Sequence, residues 1–316
     1  MSSKAWFAWG ALGVVYVVWG STYLAIRFTL ASMPPFLSSG FRFLVAGLLL
    51  TAAVAVFAGR GALRMTRGQF GTAVLVGLLL PATGNGFVVV AEQHVASGLA
   101  ALLVASMPIH IVVLRRLLGE RPAKVTLLGV AVGLAGLAVL LLGGPVAGAH
   151  GAAWWGPWLV LLASLGWAVG SVASTRLPTP ANPFTLSAVG MLAGGTALTV
   201  AGLGVGERVD LAAVTTGSWV AWGYLVLVGS LFAFSSYVYV LGKLPVSTVA
   251  TYAYVNPVIA VFLGVMFADE RFGLAQIAGG AIVLVAVVLV VRAERKPARE
   301  LSVPPGTIPE PWEARR

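Results

Sequence analysis

Cysteine is absent from the 316 residues. Disulfides and thiolate metal sites are therefore excluded, and the redox compartment cannot be read from cysteine usage. Charge is scarce as well. Asp, Glu, Lys and Arg make up 9% of the chain, against roughly 25% in a soluble domain, too few to build a surface that faces water. The sequence has no His-Glu-x-x-His pair, no Gly-x-Ser-x-Gly elbow, no paired aspartates and only three histidines. An intramembrane enzyme would need such a nucleophile, base or metal set. A nucleotide-binding loop is also missing, which argues against an ATP-driven pump, and no cofactor is expected.

What the chain has instead is apolar length. Hydrophobic residues make up 59% of it, and the mean hydropathy is +0.96. A helix needs about 20 apolar residues to cross roughly 30 Å of hydrocarbon. The charged residues cut the chain into ten such pieces: 5–27, 36–58, 69–91, 95–117, 125–143, 154–175, 184–205, 217–240, 246–267 and 273–291. The uncharged stretch from Val125 to Thr175 holds two spans, with Gly143-Gly144-Pro145 and Gly148–Gly151 at the turn. Ala5–Ile26 is too long and too rich in tryptophan for a cleaved signal segment. A span in lipid satisfies its own backbone hydrogen bonds, so all ten are expected to be helical; the alternating ten-residue strands of a barrel are not seen. The expected fold is an all-α membrane protein of ten transmembrane helices.

The formal net charge is +10, but the basic residues form no clustered footprint for nucleic acid. They collect between apolar runs. With the N-terminus in the cytoplasm, sixteen of the twenty Lys and Arg residues fall on the cytoplasmic side, as the positive-inside rule demands. This predicts ten spans in the inner (plasma) membrane with both termini cytoplasmic. Lys296–Arg316 is charged and rich in proline, and is expected to be a disordered cytoplasmic tail.

The two halves echo one another. Ser106-Met107-Pro108 leads to Leu118-Gly119-Glu120-Arg121 and Gly129, while Val255-Asn256-Pro257 leads to Ala268-Asp269-Glu270-Arg271 and Gly279. Both glutamates precede their glycine by 9 residues, and the Pro-to-Glu interval is 12 in one half and 13 in the other. Trp19-Gly20-Ser21 and Trp167-Ala168-Val169-Gly170-Ser171 open the halves alike. Five spans per half is odd, so the second half enters the membrane inverted. This predicts repeats at 1–145 and 146–295, with Glu120 on the cytoplasmic face and Glu270 outside. Inverted repeats of this kind recur in secondary transporters, whose substrate sites lie near the midplane.

The residues Trp19-Gly20-Ser21-Thr22-Tyr23, Arg42-Phe43-Leu44, Gly84-Asn85-Gly86, Ala91-Glu92 and Ala250–Pro257 resemble the EamA family of the drug/metabolite transporter superfamily. The likeness runs from about Trp6 to Val291, within the subgroup of YedA-like exporters. It implies two inverted five-helix repeats and export of small metabolites or drugs through a central cavity. His110, two residues after Pro108, departs from the apolar or small residue expected there. A membrane receptor or assembly protein that does not transport, and less so an intramembrane enzyme, are the alternatives.

Candidate substrate-binding residues are the polar and aromatic side chains inside spans: Trp19, Ser21, Thr22, Arg42, Asn85, Trp167, Ser171, Tyr237, Tyr252 and Asn256. Trp19 and Trp167 are expected to meet at the centre as two aromatic walls. Arg42 lies well inside a span and either serves substrate or gating or snorkels to the interface. The amides and phenols either line the cavity or bridge helices. Glu92, His94 and His110 are candidates for gating or proton linkage, against a solvated turn for the first two and an interior hydrogen bond for the third. Protons are thus the candidate coupling ion, the partners a small-molecule substrate and the lipid bilayer, with no nucleic acid. Glu120 and Glu270 are expected to cap the helix that follows each of them. Trp6, Trp9, Trp154, Trp155, Trp158, Trp219 and Trp222 near span ends read as interfacial anchors.

Overall fold

A computed structural model describes residues 3–142, 154–241, 243–244, 249 and 251–293. The turn expected over Gly143–Gly151 and the tail from Lys296 lie outside these residues. The described part holds ten long helices: α1 Ser3–Leu30, α2 Pro35–Phe57, α3 Arg67–Glu92, α4 Ser97–Leu117, α5 Lys124–Leu142, α6 Gly156–Arg176, α7 Pro183–Gly204, α8 Thr216–Val240, α9 Tyr252–Ala268 and α10 Leu274–Ala293. All but α9, which is described for 17 residues, are long and apolar enough to cross a membrane. Large apolar side chains such as Leu48, Phe57, Phe262 and Val285 are exposed on the outside of the bundle, where lipid tails replace water.

Helix ends follow local chemistry. Thr66 and Gln69 form a reciprocal capping box at the start of α3. The side chains of Asn182 and Thr215 accept from Phe184 N and Ser218 N at the starts of α7 and α8. The free amides of α2 at Phe36 and Leu37 donate to the Glu207 carboxylate, which arrives from the α7–α8 connection. Two helices widen into π-helical stretches at corresponding places in the halves, Leu78–Asn85 in α3 and Leu225–Phe232 in α8. The first contains Pro81, which cannot donate its backbone hydrogen bond.

The packing has the two-fold pattern of inverted repeats. The most extensive pairs are α2 with α7 and α5 with α10, each joining a helix to its own counterpart. α1 packs on α8 and α9, and α6 packs on α3 and α4. Exchanging the halves maps one set onto the other. α1 and α6 share no extended interface, contrary to the expectation that Trp19 and Trp167 meet: helices of the opposite half cover each of them first. At the α5–α10 crossing the backbones touch, since a Cβ on Gly279 would lie 2.6 Å from Leu140 N. Arg60, Arg64, Arg67, Arg116, Arg121 and Lys124 gather at the end of the bundle that carries Glu120, whereas Arg208 and Arg271 share the Glu270 end.

Candidate substrate and gating site

Trp19 sits midway along α1, where its indole donates to the carbonyl of Gly229 in the π-helical stretch of α8. A widened helix leaves a carbonyl available for such a bond. The indole centroid lies 5.1 Å from that of Tyr237 and 5.3 Å from that of Tyr252, and the two phenol rings are 5.8 Å apart in an edge-on contact. Phe234 extends the group, 6.4 Å from Tyr237. Tilted and edge-to-face contacts at these distances are the favoured aromatic geometries. Two residues on, Ser21 meets the Tyr224 hydroxyl at 2.6 Å, and Thr22, a turn from Trp19, bonds back to the Trp19 carbonyl.

Arg42, 6% exposed, points from α2 into the same region. Its Nε donates to Ser230 Oγ at 3.0 Å. It does not snorkel. With Thr29, Ser38, Ser39 and Trp222 it lines a cavity of about 10 Å³, room for one water. Trp222, expected as an interfacial anchor, instead donates its indole N–H to Ser38 O and faces this cavity. Gly229 joins the two groups: a Cβ there would lie 3.2 Å from Thr22 and 3.6 Å from Arg42 Nη2, while its carbonyl holds Trp19.

Of the other predicted residues, all but Asn256 lie apart from this group. Trp167 packs over Gly84 of α3, where a Cβ would come within 2.7 Å of the indole. Ser171 bonds back to the Trp167 carbonyl, and Asn85 is half-buried in the π-helical stretch of α3. Asn256 is buried, and with its amide oriented to suit its neighbours it donates to the carbonyls of Tyr16 and Tyr252 at 3.2 Å. It therefore bridges α1 and α9. His110 Nδ1 lies 3.2 Å from Ser164 Oγ, an interior hydrogen bond between α4 and α6. A wider recess of about 500 Å³ opens at the Glu120 end between residues 61–64 and 181–184, away from all of these.

At the Glu270 end a carboxylate ties three helices together. Glu270, whose side chain is 1% exposed, accepts from Arg27 Nη1 at 2.7 Å, Ser97 N at 2.7 Å, Ser97 Oγ at 2.8 Å and Gly98 N at 3.0 Å. It caps α4, from across the bundle, and not the helix that follows it in sequence. Glu92 ends α3 beside this knot and is buried, not part of a solvated turn. Neither of its carboxylate oxygens has a hydrogen-bond partner among the described residues, and Tyr23, Arg27 and Glu270 are its charged or ionisable neighbours. His94 is half-buried against Trp155.

The counterpart at the other end is looser. Glu120 meets Arg115 Nε at 2.6 Å and Arg176 Nη2 at 2.5 Å, with side chains 34–40% exposed. The Arg115 hydrogen bond, and after it that of Arg176, hold the Glu120 carboxyl below the usual range. This tie is thus intact at neutral pH and is lost as acid brings the pH through the lowered value. Arg27 follows Trp19 by 8 residues and Arg176 follows Trp167 by 9, so the Arg–Glu pairs are related by the repeat: last turn of the first helix of one half, end of the fourth helix of the other. That interval is a signal the sequence contains, but without knowing that α1 packs on α9 it has no partner to point to.

Two inverted five-helix halves, with aromatic and polar groups inside and matched ion pairs at both ends, define a polytopic helical membrane protein of the transporter type. The chain belongs to the EamA-like transporter family, whose model matches residues 6–142 and 154–292; the family is one of transporters, and the enzyme alternative falls with it. The chain is 39% identical over 282 residues to "Uncharacterized inner membrane transporter YedA" of Escherichia coli, covering 89% of each. It is 28% identical over 313 residues to "Probable terminal-alkyne amino-acid exporter" of Streptantibioticus cattleyicolor, covering 96% of this chain and 98% of that protein. One solved crystal structure shares the fold at 22% identity with a TM-score of 0.61, over 93% of this chain and 99% of that one.

Proposed function

We propose that the chain is a proton-coupled secondary exporter of small organic molecules, working by alternating access between halves 1–145 and 146–295 of the inner membrane, with both termini cytoplasmic. The observation that carries this reading is the unequal state of two repeat-related ion pairs. The Glu270 carboxylate is buried and accepts four hydrogen bonds, Arg27's among them, whereas the Glu120 carboxylate is exposed and held by arginines alone. In a two-fold machine the same contacts exchange roles when the open side changes. The Glu270 end is then the outer gate, latched shut, and the Glu120 end faces the cytoplasm with its basic residues. The name of the Streptantibioticus relative supports amino-acid-like molecules as substrates.

Glu92 supports the proton as driving ion. A buried carboxyl without hydrogen-bond partners is costly when charged, so its occupancy by a proton is tied to whether its pocket is open. The groups facing it are Tyr23 and Arg27 from α1 and Glu270 from the α9 end; α2 contributes Arg42, turned onto Ser230, and α6 has no titratable residue before Arg176. Proteoliposomes with an imposed pH gradient test this against a panel of amino acids and organic acids. Gradient-driven accumulation is expected in the parent, and Glu92→Gln should retain downhill exchange but lose accumulation. Accumulation by Glu92→Gln at the parent's level would remove this residue from coupling.

Topology gives a second check. In this cysteine-free protein, a cysteine at Gly61 should be silent to impermeant thiol reagents added to intact cells, and one at Leu211 should label. Labelling of position 61 from outside would reverse the orientation.

A further inference from the structure

We propose that Arg42 is the anion-recognition residue of this transporter and that its substrates carry a single carboxylate, an inference that rests on the transport reading above. The other arginines bonded within the bundle and its ends, Arg27, Arg115 and Arg176, each meet a glutamate. Arg42 does not: among the described residues its partners are the neutral Ser230 hydroxyl and the ring of Phe43, 4.8 Å from Cζ. The guanidinium stays charged. A buried cation without a counter-charge is expensive, and inside a membrane span it marks a functional site.

The unused donors have the right surroundings. A guanidinium offers five N–H groups in a fixed fork, and here Ser230 takes the one on Nε, leaving both terminal nitrogens. That fork matches a carboxylate in a bidentate fashion. The cavity it lines adds the Ser39 hydroxyl as a further donor, while those of Thr29 and Ser38 are turned onto the carbonyls of Ala25 and Pro35. Through Gly229 the fork adjoins Trp19, whose ring stands against Tyr237 and Tyr252. A molecule with its carboxylate on Arg42 would run its apolar body past Gly229 to this aromatic wall, which requires the cavity to widen from its present room for one water. A phosphate monoester would bring nearly two negative charges, and this cavity supplies one cation.

The test uses full-length protein in lipid nanodiscs and four probes of one size: phenylacetate, its neutral amide, phenethylamine and phenyl phosphate. Binding is read by tryptophan fluorescence, and unliganded thermal stability is measured alongside. In the parent, phenylacetate should bind roughly thirtyfold or more tightly than the amide, which is the scale of losing a buried charged hydrogen-bonded partner. Arg42→Met should bind acid and amide alike, yet melt at or above the parent's temperature, because an unpaired buried charge has been removed. Arg42→Lys should keep a reduced preference for the acid. Equal binding of acid and amide by the parent overturns the proposal, as does a preference that survives in Arg42→Met. A drop in melting temperature on Arg42→Met with the preference unchanged assigns Arg42 a structural role, and tighter binding of phenyl phosphate refutes the carboxylate class. In any of these cases a Trp19→Ala variant that weakens all bound probes leaves the substrate site where it is placed here. Failure of all four probes to bind the parent overturns the proposal alone, since the proteoliposome assay tests the transport reading separately.

Discussion

Glu270→Gln is expected to unlatch one end of the molecule and to lower its thermal stability by about 2–3 kcal/mol. The magnitude follows from what is lost. Four donors converge on a side chain that is 1% exposed, and hydrogen bonds to a buried charge contribute about 1.5–3 kcal/mol each. Glutamine keeps one acceptor oxygen, and Arg27, at 32% exposure, recovers part of its loss by turning to water. Glu120→Gln should cost far less, because an exposed pair is worth little. Thermal unfolding of both variants in detergent checks the contrast, and equal shifts would show that burial does not separate the two pairs. In transport, Glu270→Gln should speed opening of the Glu270 end and degrade coupling, while Glu120→Gln remains close to the parent.

Gly279→Val is the substitution expected to do most damage to the fold. Its Cβ would meet Leu140 N at 2.6 Å, Leu140 Cα at 2.8 Å and Gly136 O at 3.0 Å, all backbone atoms that cannot rotate away. α5 and α10 would have to separate along one of the two most extensive helix interfaces in the molecule. Small residues at such crossings are what lets membrane helices pack, since lipid supplies no hydrophobic drive between them. The cost should exceed about 3 kcal/mol, beyond ordinary overpacking. Gly10→Ala, which meets nothing within 4 Å, should be neutral or slightly stabilising. Recovery of monodisperse protein by size-exclusion chromatography reports both, and normal recovery of Gly279→Val would mean that the crossing is looser than described.

Much of the fold was legible in the sequence because lipid imposes a strict rule. Apolar length and the placing of charges locate α2 and α5 within one residue at each end, and the parity of the Pro–Glu repeat implies the inversion. Which helices touch was not legible. Apolar character all around a span hides its packed face, so nothing in the sequence tells that α9 and not α6 lies against α1. Arg27 and Glu270 could be placed on one face of the membrane, but their contact depends on that neighbour relation. The same blindness applied to Glu92, whose place next to polar Gln93 and His94 suggested a solvated turn until the α4 start and Glu270 closed over it. The π-helical stretches left no compositional trace beyond Pro81. Arg42 stood out because a cation inside an apolar run is rare, whereas Asn256, equally polar, was already committed to a carbonyl of its own helix and to one on α1 across the interface.

Spin-label distances report opening of the two ends in alternation without passing through an activity assay. The cysteine-free chain permits one pair at Ala31 and Arg271 on the Glu270 end and a second at Arg121 and Leu177 on the Glu120 end, all exposed positions. In lipid, changing the Glu270 latch to Gln should lengthen the Ala31–Arg271 distance and shorten the Arg121–Leu177 distance in the same sample population. Distances at the two ends that stay fixed, or that lengthen together, would contradict alternating access between the halves.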